Sequence, residues 1–552
     1  MSRMILRLRS NRFSKELLVM LVGFALLRFL LAFLFPVFGD ACRYFIMAKA
    51  IYAKPSLFAM RGLSYPTPLF LLVSALFYGL FIPFGERTAD LSLRLVSPLF
   101  GSLTLVFTYL AAKRMFNEKT ALLSVVFLGL SPSHIMFSSI GYMEGLFVFL
   151  VSLSLYFLVR DNSKPRETSY ILCGIALGLA SLTRQTGLLV AAIMALFILF
   201  DNRIRSRTGR LKSVFLMILG LSVIAGPWYI DQLYRFGTID LFGQIFPAHE
   251  PATITLDTLL YRVDIYAPRS SIGTNEPTTY YQPWFRLIGT YYEFWGVWGG
   301  AFDVLLRVRI PFFDPSLLLL GFTVVTLFLS LLHVLGVFKS IRNNRAGILH
   351  LLAISTFSVF LFVIFAQWIE YGSVSPSLGY RKPLITIAPV LAIYGGEGWK
   401  RLLEIAEETK HRHASKLLIM TVSVCLVLCL AGLCFEGNFM RERYQERLLS
   451  AAQWIKHNTL KDAVVLTSRD LEIAYLTGRR TMAMYLVQAS AIDQDLLIRH
   501  NVSYIFIPSD ELTQDARLGP YVQRFSILKN MGFLEEAYRD SFGVILKAKK
   551  TA

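Results

Sequence analysis

Residues 17–44 have the sequence LLVMLVGFALLRFLLAFLFPVFGDACRY. The segment from Leu17 to Phe38 is long and apolar enough to cross a bilayer, because a membrane helix needs roughly 20 apolar residues. Asp40 follows this segment at its outer mouth, where water ends and acyl chains begin. A carboxylate is easily hydrated there and is placed to act as a base on a lipid-linked reactant. A simple helix cap is the other interpretation of Asp40.

The composition is typical of an integral membrane protein. Of the 552 residues, 55% are hydrophobic and 14% are aromatic, and the mean hydropathy is +0.53. One soluble core does not bury that much apolar side chain. The 56 Lys and Arg residues against 37 Asp and Glu residues give a net charge of +19. Because the basic excess lies in short loops between apolar segments, it indicates membrane topology and contact with anionic lipid, and it argues against a nucleic-acid partner.

The start of the chain predicts an uncleaved signal anchor. Several basic residues precede a long apolar run that has no small-residue cleavage site. The five cysteines are too few and too scattered for a disulfide framework. No CxxC or Cys/His spacing occurs, so the sequence predicts no metal ligand set.

The basic loops fix the predicted topology. With these loops cytoplasmic, the N-terminus is cytoplasmic, the C-terminus is outside, and the protein is a multi-pass protein of the plasma membrane. The predicted crossings are 17–38, 91–112, 120–138, 142–160, 169–184, 186–201, 212–230, 315–338, 348–368, 383–398 and 416–435. Residues 66–84 are also long enough to cross, but a crossing there inverts every later segment. We therefore expect residues 66–84 to lie in the interface, with an extra span as the alternative, so that the fold is a polytopic α-helical bundle of about 11 to 13 helices.

The sequence divides into two predicted domains. Residues 1–437 form the transmembrane domain, with outer loops 39–90 and 231–313, and residues 438–552 form an extracytoplasmic α/β domain. In the second domain we expect a helix over 444–457 and strands at 463–466, 504–507 and 543–546. The 231–313 loop is rich in Tyr and Trp, which suits either an interfacial belt or a sugar-stacking wall.

Charged residues at the ends of apolar segments are the next candidates for a site. Glu144 starts a span on the same predicted side as Asp40, so the two acids share one cavity, unless Glu144 only serves the dipole of its helix. Arg184, Arg381 and Lys382 lie in outer turns, against the positive-inside rule, which favours an anionic partner such as a phosphate. Arg28, in the first span, is expected to pair with a carboxylate or with backbone carbonyls.

This pattern resembles the GT-C superfamily of membrane glycosyltransferases, especially its protein O-mannosyltransferase and lipid A aminoarabinose transferase branch. The matching pieces, which extend over nearly the whole chain, are Gly39-Asp40 with Tyr44, Tyr65-Pro66, Arg94, Lys113-Arg114, Ser131-Pro132, Glu144, Leu182-Thr183-Arg184, Pro227-Trp228, and Tyr380-Arg381 with Pro383 and Pro389. The chain departs from the pattern at Ala41, where many relatives have Glu, and at Glu144, where Asp is frequent. It also carries Arg61 where some relatives have a phosphate-binding Lys.

The resemblance implies inverting transfer of a sugar, with mannose favoured, from a polyprenyl-phosphate donor to a protein, lipid or glycan acceptor on the outer face. Asp40 is then the general base and Glu144 orients the acceptor or supports Asp40. Four basic residues are candidates for the donor phosphate: Arg184, Arg381, Lys382 and Arg61. Five residues are candidates for substrate contacts: Tyr44, Tyr65, Tyr380, His249 and Tyr281. No cofactor is expected, although two acids are able to hold a divalent metal, as in oligosaccharide-transferring relatives.

Three other functions stay open. A lipid-linked sugar flippase or transporter also has many spans and buried charge, but it usually shows internal repeats, and we find none. A non-catalytic scaffold would bind a partner through its outer domain. An oligosaccharide transferase would use a diphosphate donor and a metal. The sequence identifies neither the sugar, the acceptor nor the oligomeric state.

Overall fold

The first part of the chain is helical. The computed structural model describes residues 15–53, 67–161, 166–236, 287, 290–292, 294–296, 315–341, 343, 346–371, 384–408, 412–484, 489–509 and 519–549. Within these ranges, the helices that precede the C-terminal sheet are α1 (Lys15–Leu34), α2 (Asp40–Ala53), α3 (Pro68–Phe81), α4 (Glu86–Leu93), α5 (Val96–Met115), α6 (Glu118–Gly129), α7 (Pro132–Phe137), α8 (Glu144–Val159), α9 (Glu167–Thr183), α10 (Gly187–Leu199), α11 (Arg207–Phe236), α12 (Pro315–Ser340), α13 (Gly347–Tyr371), α14 (Ala388–Glu408), α15 (Arg412–Arg441) and α16 (Arg447–Asn458).

The bundle is apolar on its outside, as a lipid-facing protein requires. Five described helical segments are long and apolar enough to span a membrane: 15–34, 86–115, 207–234, 320–340 and 415–434. Shorter apolar helices occur at 68–84, 144–159, 167–183, 187–199 and 347–362. On α1, for example, Val19 is 70% exposed and Leu26 is 64% exposed, whereas Arg28 is fully buried. The predicted multi-pass, mostly helical membrane fold is therefore confirmed, and the count of about 11 to 13 spans stays a prediction.

Several predicted boundaries differ from the helices. The segment predicted to cross at 120–138 is two helices, because α6 ends at Gly129 and Pro132 begins α7. Pro227, expected to end a span, lies inside α11, which continues to Phe236. The helix predicted at 383–398 is α14, which runs from Ala388 to Glu408 and so includes charged residues that we assigned to a loop.

Within the predicted segment 66–84, Pro68–Phe81 form α3 and Ile82–Phe84 form a short 3₁₀ turn. The 14 residues of α3 correspond to about 21 Å of helix, less than the roughly 30 Å thickness of the hydrocarbon core. One face of α3 packs against α2 and α9, while Leu76 and Leu80 on it are exposed. This length is consistent with an interfacial position, which stays a prediction.

Arg28 links three helices inside the bundle. Its guanidinium donates to the carbonyls of Phe24 at 3.0 Å, Leu128 at 3.1 Å and Gly129 at 3.3 Å, and Nη2 lies 2.9 Å from His134 Nδ1. The last carbonyls of a helix have no intrahelical partner, so Arg28 satisfies the end of α6 where the chain turns into α7. The expected pairing of Arg28 with backbone carbonyls is therefore confirmed.

The C-terminal region contains a five-stranded mixed sheet. Its elements are β1 (Val464–Thr467), α17 (Asp470–Thr477), β2 (Arg480–Ala483), α18 (Gln494–Arg499), β3 (Val502–Pro508), α19 (Gly519–Asn530), β4 (Leu534–Arg539) and β5 (Gly543–Ala548). The strand order is β2-β1-β3-β5-β4, with β1 parallel to β2 and β3, and β5 antiparallel to β3 and β4. The α/β class and the three predicted strands are confirmed, and β2 and β4 are additional. The domain boundary at residue 438 stays a prediction, and α15 runs through it.

Candidate functional site

Asp40 is the first residue of α2 and lies at the end of the non-helical segment that follows α1. Its side chain is 22% exposed, and its Oδ1 lies 3.9 Å from Arg43 Nη1 one helical turn later. A carboxylate at a helix N-terminus is favoured by the helix dipole. The position suits a base that is reachable from water, and the capping interpretation stays open.

Glu144 and Arg184 form a buried ion pair. Glu144 begins α8 and is fully buried, and its Oε1 accepts a hydrogen bond of 2.5 Å from Arg184 Nη1. Arg184 follows the last residue of α9, and its guanidinium also lies 5.9 Å from the centre of the Phe147 ring. The Arg184 side chain is only 16% exposed, and its predicted location in an outer turn stays a prediction.

The second oxygen of Glu144 has an open hydrogen-bonding position. Among the described residues, no donor reaches the buried Oε2 atom. Buried polar atoms are rarely left without a partner. Oε2 is therefore positioned to accept a hydrogen bond from a ligand hydroxyl.

Tyr142 connects the two acids. It lies in the loop between α7 and α8, where burial and the nearby carboxylates of Asp40 and Glu144 raise the pKa of its phenol well above the usual value. The Tyr44 ring is buried and packs against Tyr142 and Phe70, with ring centres 6.5 Å and 5.5 Å away. Tyr44 thus lies beside Tyr142, and its contact with substrate stays a prediction. Tyr142 does not stand out in the sequence, since a tyrosine at a membrane boundary is common.

Two glycines bring the segments of the two acids into contact. Gly39 has φ +53° and Gly141 has φ +78°, a conformation that favours glycine. A Cβ on Gly39 would lie 3.1 Å from Tyr142 Oη, and a Cβ on Gly141 would lie 2.5 Å from Phe45 Cζ. Each glycine thus faces an aromatic ring from the other segment. This reciprocal contact fixes the start of α2 against the loop that leads to Glu144.

The C-terminal domain reaches the same place. Glu472, in the first turn of α17, accepts a hydrogen bond of 2.9 Å from the Gly39 N–H. The pKa of the neighbouring Cys42 thiol is raised mainly by burial and next by the Glu472 carboxylate. No local pattern around Glu472 points to this contact, because the two residues are 433 positions apart.

Seven predicted site residues lie outside the described residues: Arg61, Tyr65, His249, Tyr281, Tyr380, Arg381 and Lys382. Their roles, and most of the 231–313 loop, stay predictions. In the part of the chain that the structure describes, no three Cys, His, Asp or Glu side chains converge in a way that could hold a metal ion.

Comparisons with known proteins test the predicted resemblance to the GT-C superfamily. Residues 64–230 match the sequence profile of the dolichyl-phosphate-mannose-protein mannosyltransferases. The crystal structure of ArnT from Cupriavidus metallidurans bound to undecaprenyl phosphate is similar over 97% of this chain and 98% of that one, with a TM-score of 0.57 and 16% identity. The predicted GT-C resemblance is confirmed. The chain is also similar to the archaeal oligosaccharyltransferase AglB from Archaeoglobus fulgidus, over 96% of this chain and 74% of AglB, with a TM-score of 0.52 and 13% identity.

A shorter sequence match adds to this. Over 93 residues, 16% of its length, the chain is 38% identical to dolichyl-phosphooligosaccharide-protein glycotransferase 2 of Pyrococcus furiosus. The matched stretch spans only 12% of that protein. The similarity to solved structures thus shows the fold of nearly the whole chain, whereas the sequence matches cover only a part of it.

Proposed function

We propose that the protein is a glycosyltransferase that moves a sugar from a polyprenyl-phosphate-linked donor to an acceptor on the extracytoplasmic face of the plasma membrane. The observation that carries this proposal is a pair of acids, Asp40 and Glu144, which begin two helices and both lie near enough to Tyr142 to raise the pKa of its phenol. Glu144 is also paired with Arg184. The GT-C fold and the match of residues 64–230 to mannosyltransferases support it. They also make mannose the favoured sugar.

The proposed reaction inverts the anomeric carbon. The acceptor hydroxyl attacks C1 of the sugar while its proton passes to the Asp40 carboxylate. The bond between C1 and the phosphate oxygen breaks, and its electron pair leaves with the polyprenyl phosphate. Asp40 is exposed enough to meet the acceptor, and a positioned base of this kind contributes roughly 100- to 10,000-fold to a rate.

Glu144 is proposed to orient the acceptor through Oε2, while Arg184 holds its other oxygen. Because the charge of Arg184 is already opposed by Glu144, we assign the leaving phosphate first to Arg381, Lys382 and Arg61. A guanidinium or ammonium group near that oxygen stabilises the charge that grows in the transition state. Arg184 then contributes to the phosphate only at longer range.

ArnT was solved with undecaprenyl phosphate and AglB with a dolichol-phosphate and an inhibitory peptide. These ligands support a lipid phosphate carrier for the donor and admit a protein acceptor. A diphosphate-linked oligosaccharide donor with metal dependence is the second candidate, favoured by the Pyrococcus match. The transporter and scaffold interpretations predict no covalent transfer at all.

The test uses purified full-length protein reconstituted in lipid with radiolabelled polyprenyl-phosphate mannose and a panel of peptide, lipid-linked glycan and envelope-polymer acceptors. We expect wild-type transfer that survives a chelator, and a loss of roughly 100-fold or more in Asp40→Asn, since an amide cannot take the proton. Asp90→Asn is the matched control. Asp90 is an acid of the same outer region that pairs with Lys49.

Each result has a distinct meaning. Transfer by Asp40→Asn at the wild-type rate would exclude Asp40 as the base. Loss of transfer on chelation, together with activity on a diphosphate-linked oligosaccharide, would replace the proposal with the second candidate. If wild-type protein transfers sugar from no lipid-linked donor, the glycosyltransferase proposal is rejected.

A further inference from the structure

The C-terminal domain touches the proposed base segment through one buried carboxylate. Glu472 is 7% exposed, and its Oε1 lies 2.9 Å from the Gly39 nitrogen. Gly39 immediately precedes Asp40, so its N–H lies at the start of α2, where backbone donors have no helical partner. A carboxylate that accepts from such a donor makes a charge-assisted bond, which is stronger than a neutral one.

The packing around this bond is extensive. Helix α17, which carries Glu472, lies against α2, and the Tyr475 ring is 6.2 Å from the Phe45 ring. Burial raises the pKa of Tyr475 to about 12, against the lowering effect of the nearby Arg94 guanidinium. The same Arg94 donates to the carbonyl of Phe35 at 3.4 Å, just before Gly39. The segment between α1 and α2 is thus fixed from two sides, by Arg94 and by α17.

The Glu472 carboxylate lies near other carboxylates, so its location is unfavourable without the hydrogen bond from the Gly39 N–H. Asp470 is 4% exposed and lies in the same turn of α17. The carboxylates of Glu472, Asp470 and Asp40 all act on the Cys42 thiol. Like charges brought together in a buried region repel one another. A hydrogen bond to a backbone donor offsets this repulsion, and it also fixes the direction of the backbone from which the Asp40 side chain projects.

We propose that Glu472 is a positioning residue for Asp40, so that sugar transfer depends on docking of the C-terminal domain on the start of α2. The proposal rests on the proposed function for the role of Asp40. Glu472 acts through the Gly39 N–H and need not touch substrate. What matters is an acceptor oxygen at the position of Oε1, which a glutamine also provides.

The first experiment compares the transfer kinetics of Glu472→Ala and Glu472→Gln in the reconstituted full chain. We expect Glu472→Ala to lower kcat about tenfold, the cost of one hydrogen bond, with an unchanged KM for the donor. Glu472→Gln should retain most of the wild-type kcat. Glu535→Ala is the control, because Glu535 is a 46% exposed carboxylate on β4 of the same domain, 3.7 Å from Lys549. An unchanged kcat in Glu472→Ala, or an equal loss in Glu472→Gln, overturns the proposal.

The second experiment needs no transfer activity. Hydrogen exchange of the peptide over residues 36–44 should become faster in Glu472→Ala and stay at the wild-type rate in Glu472→Gln and Glu535→Ala. Unchanged exchange in Glu472→Ala overturns the contact itself, whatever the kinetics. If exchange responds as expected but wild-type protein transfers no sugar, the proposed function has failed and the positioning role falls with it, while the docking contact stands.

Discussion

The Glu144–Arg184 ion pair compensates a carboxylate that is buried inside the helical bundle. Glu144 is fully buried, and moving a carboxylate out of water is costly unless a charged partner and hydrogen bonds compensate it. Arg184 supplies the partner at 2.5 Å. Removing either side alone has unequal consequences, because loss of the arginine leaves a carboxylate that is fully buried. Neutralising the glutamate leaves a guanidinium that is 16% exposed, and the amide oxygen of a glutamine still accepts from it.

A double-mutant cycle measures this asymmetry. We expect Arg184→Ala to lower the free energy of unfolding by about 3 to 5 kcal/mol, since it leaves the buried Glu144 charge without its partner. Adding Glu144→Gln to Arg184→Ala should recover part of that loss. The measurement is denaturant unfolding of the full chain in detergent. Lys212→Ala is the control, because the Lys212–Glu167 pair is more than half exposed and is expected to contribute below about 1 kcal/mol. A double variant no more stable than Arg184→Ala contradicts the expectation.

At the residue scale, the sequence predicted the acids better than their partners. Asp40 and Glu144 stand out because a charge at the end of an apolar segment needs an explanation. Whether Arg184 faces solvent or a buried carboxylate depends on how α8 and α9 pack, and no local pattern contains that information. The contact between Glu472 and Gly39 joins segments 433 residues apart, so it is visible only in the folded chain.

The elements around the site meet at very short range because two glycines allow it. Gly39 precedes α2 and Gly141 precedes α8, both with positive φ. Side chains other than glycine cost about 1 to 2 kcal/mol in this conformation. At Gly141 a methyl group would also meet the Phe45 ring, which is fully buried and has little room to move.

We therefore expect Gly141→Ala to destabilise the protein more than a change that strains the backbone alone. The control is Gly478→Ala, because Gly478 has a similar φ of +68° with nothing within 4 Å of an added Cβ. The excess at Gly141 should be about 1 to 3 kcal/mol, the usual cost of overpacking, together with a reduced rate of sugar transfer. Thermal unfolding and initial rates provide the two readouts. Equal destabilisation of the two variants would show that Phe45 gives way and does not hold the loop.

At the scale of helices and strands, the length of an apolar segment predicted that a helix is present better than it predicted where that helix begins and ends. Pro132 begins a new helix, whereas Pro227 is accommodated inside α11. A proline breaks a helix only where no neighbouring group compensates the lost hydrogen bond, which depends on tertiary packing. The strands β2 and β4 were missed because Arg480–Ala483 (RTMA) lacks the run of β-branched residues that marks the equally short β1 (VVLT), and three of the six residues of Leu534–Arg539 are charged.

The whole molecule has two chemically different ends. Helix α8 begins at Glu144 in the candidate site and finishes beside Arg160, and α9 returns from Glu167 to Arg184. The end that carries the site is covered by the C-terminal domain through α17. The opposite end carries the basic loops, where exposed lysines pair with acids, as in the 3.3 Å contact of Lys119 with Glu407. The positive-inside rule predicts that this second end is cytoplasmic.

Cysteine accessibility tests this orientation. In a Cys434→Ser background, which removes the exposed native thiol, we introduce Ser541→Cys at an exposed turn of the C-terminal domain and Lys119→Cys at the basic end, where the side chain is 45% exposed. A membrane-impermeant maleimide should label Ser541→Cys in intact cells and Lys119→Cys only after permeabilisation, because a charged reagent cannot cross the bilayer. The opposite labelling would place the acids and the C-terminal domain in the cytoplasm. Equal labelling of both in intact cells would mean that the two ends do not lie on opposite sides of the membrane. The count of crossings that assigns residues 66–84 to the interface would then be wrong as well.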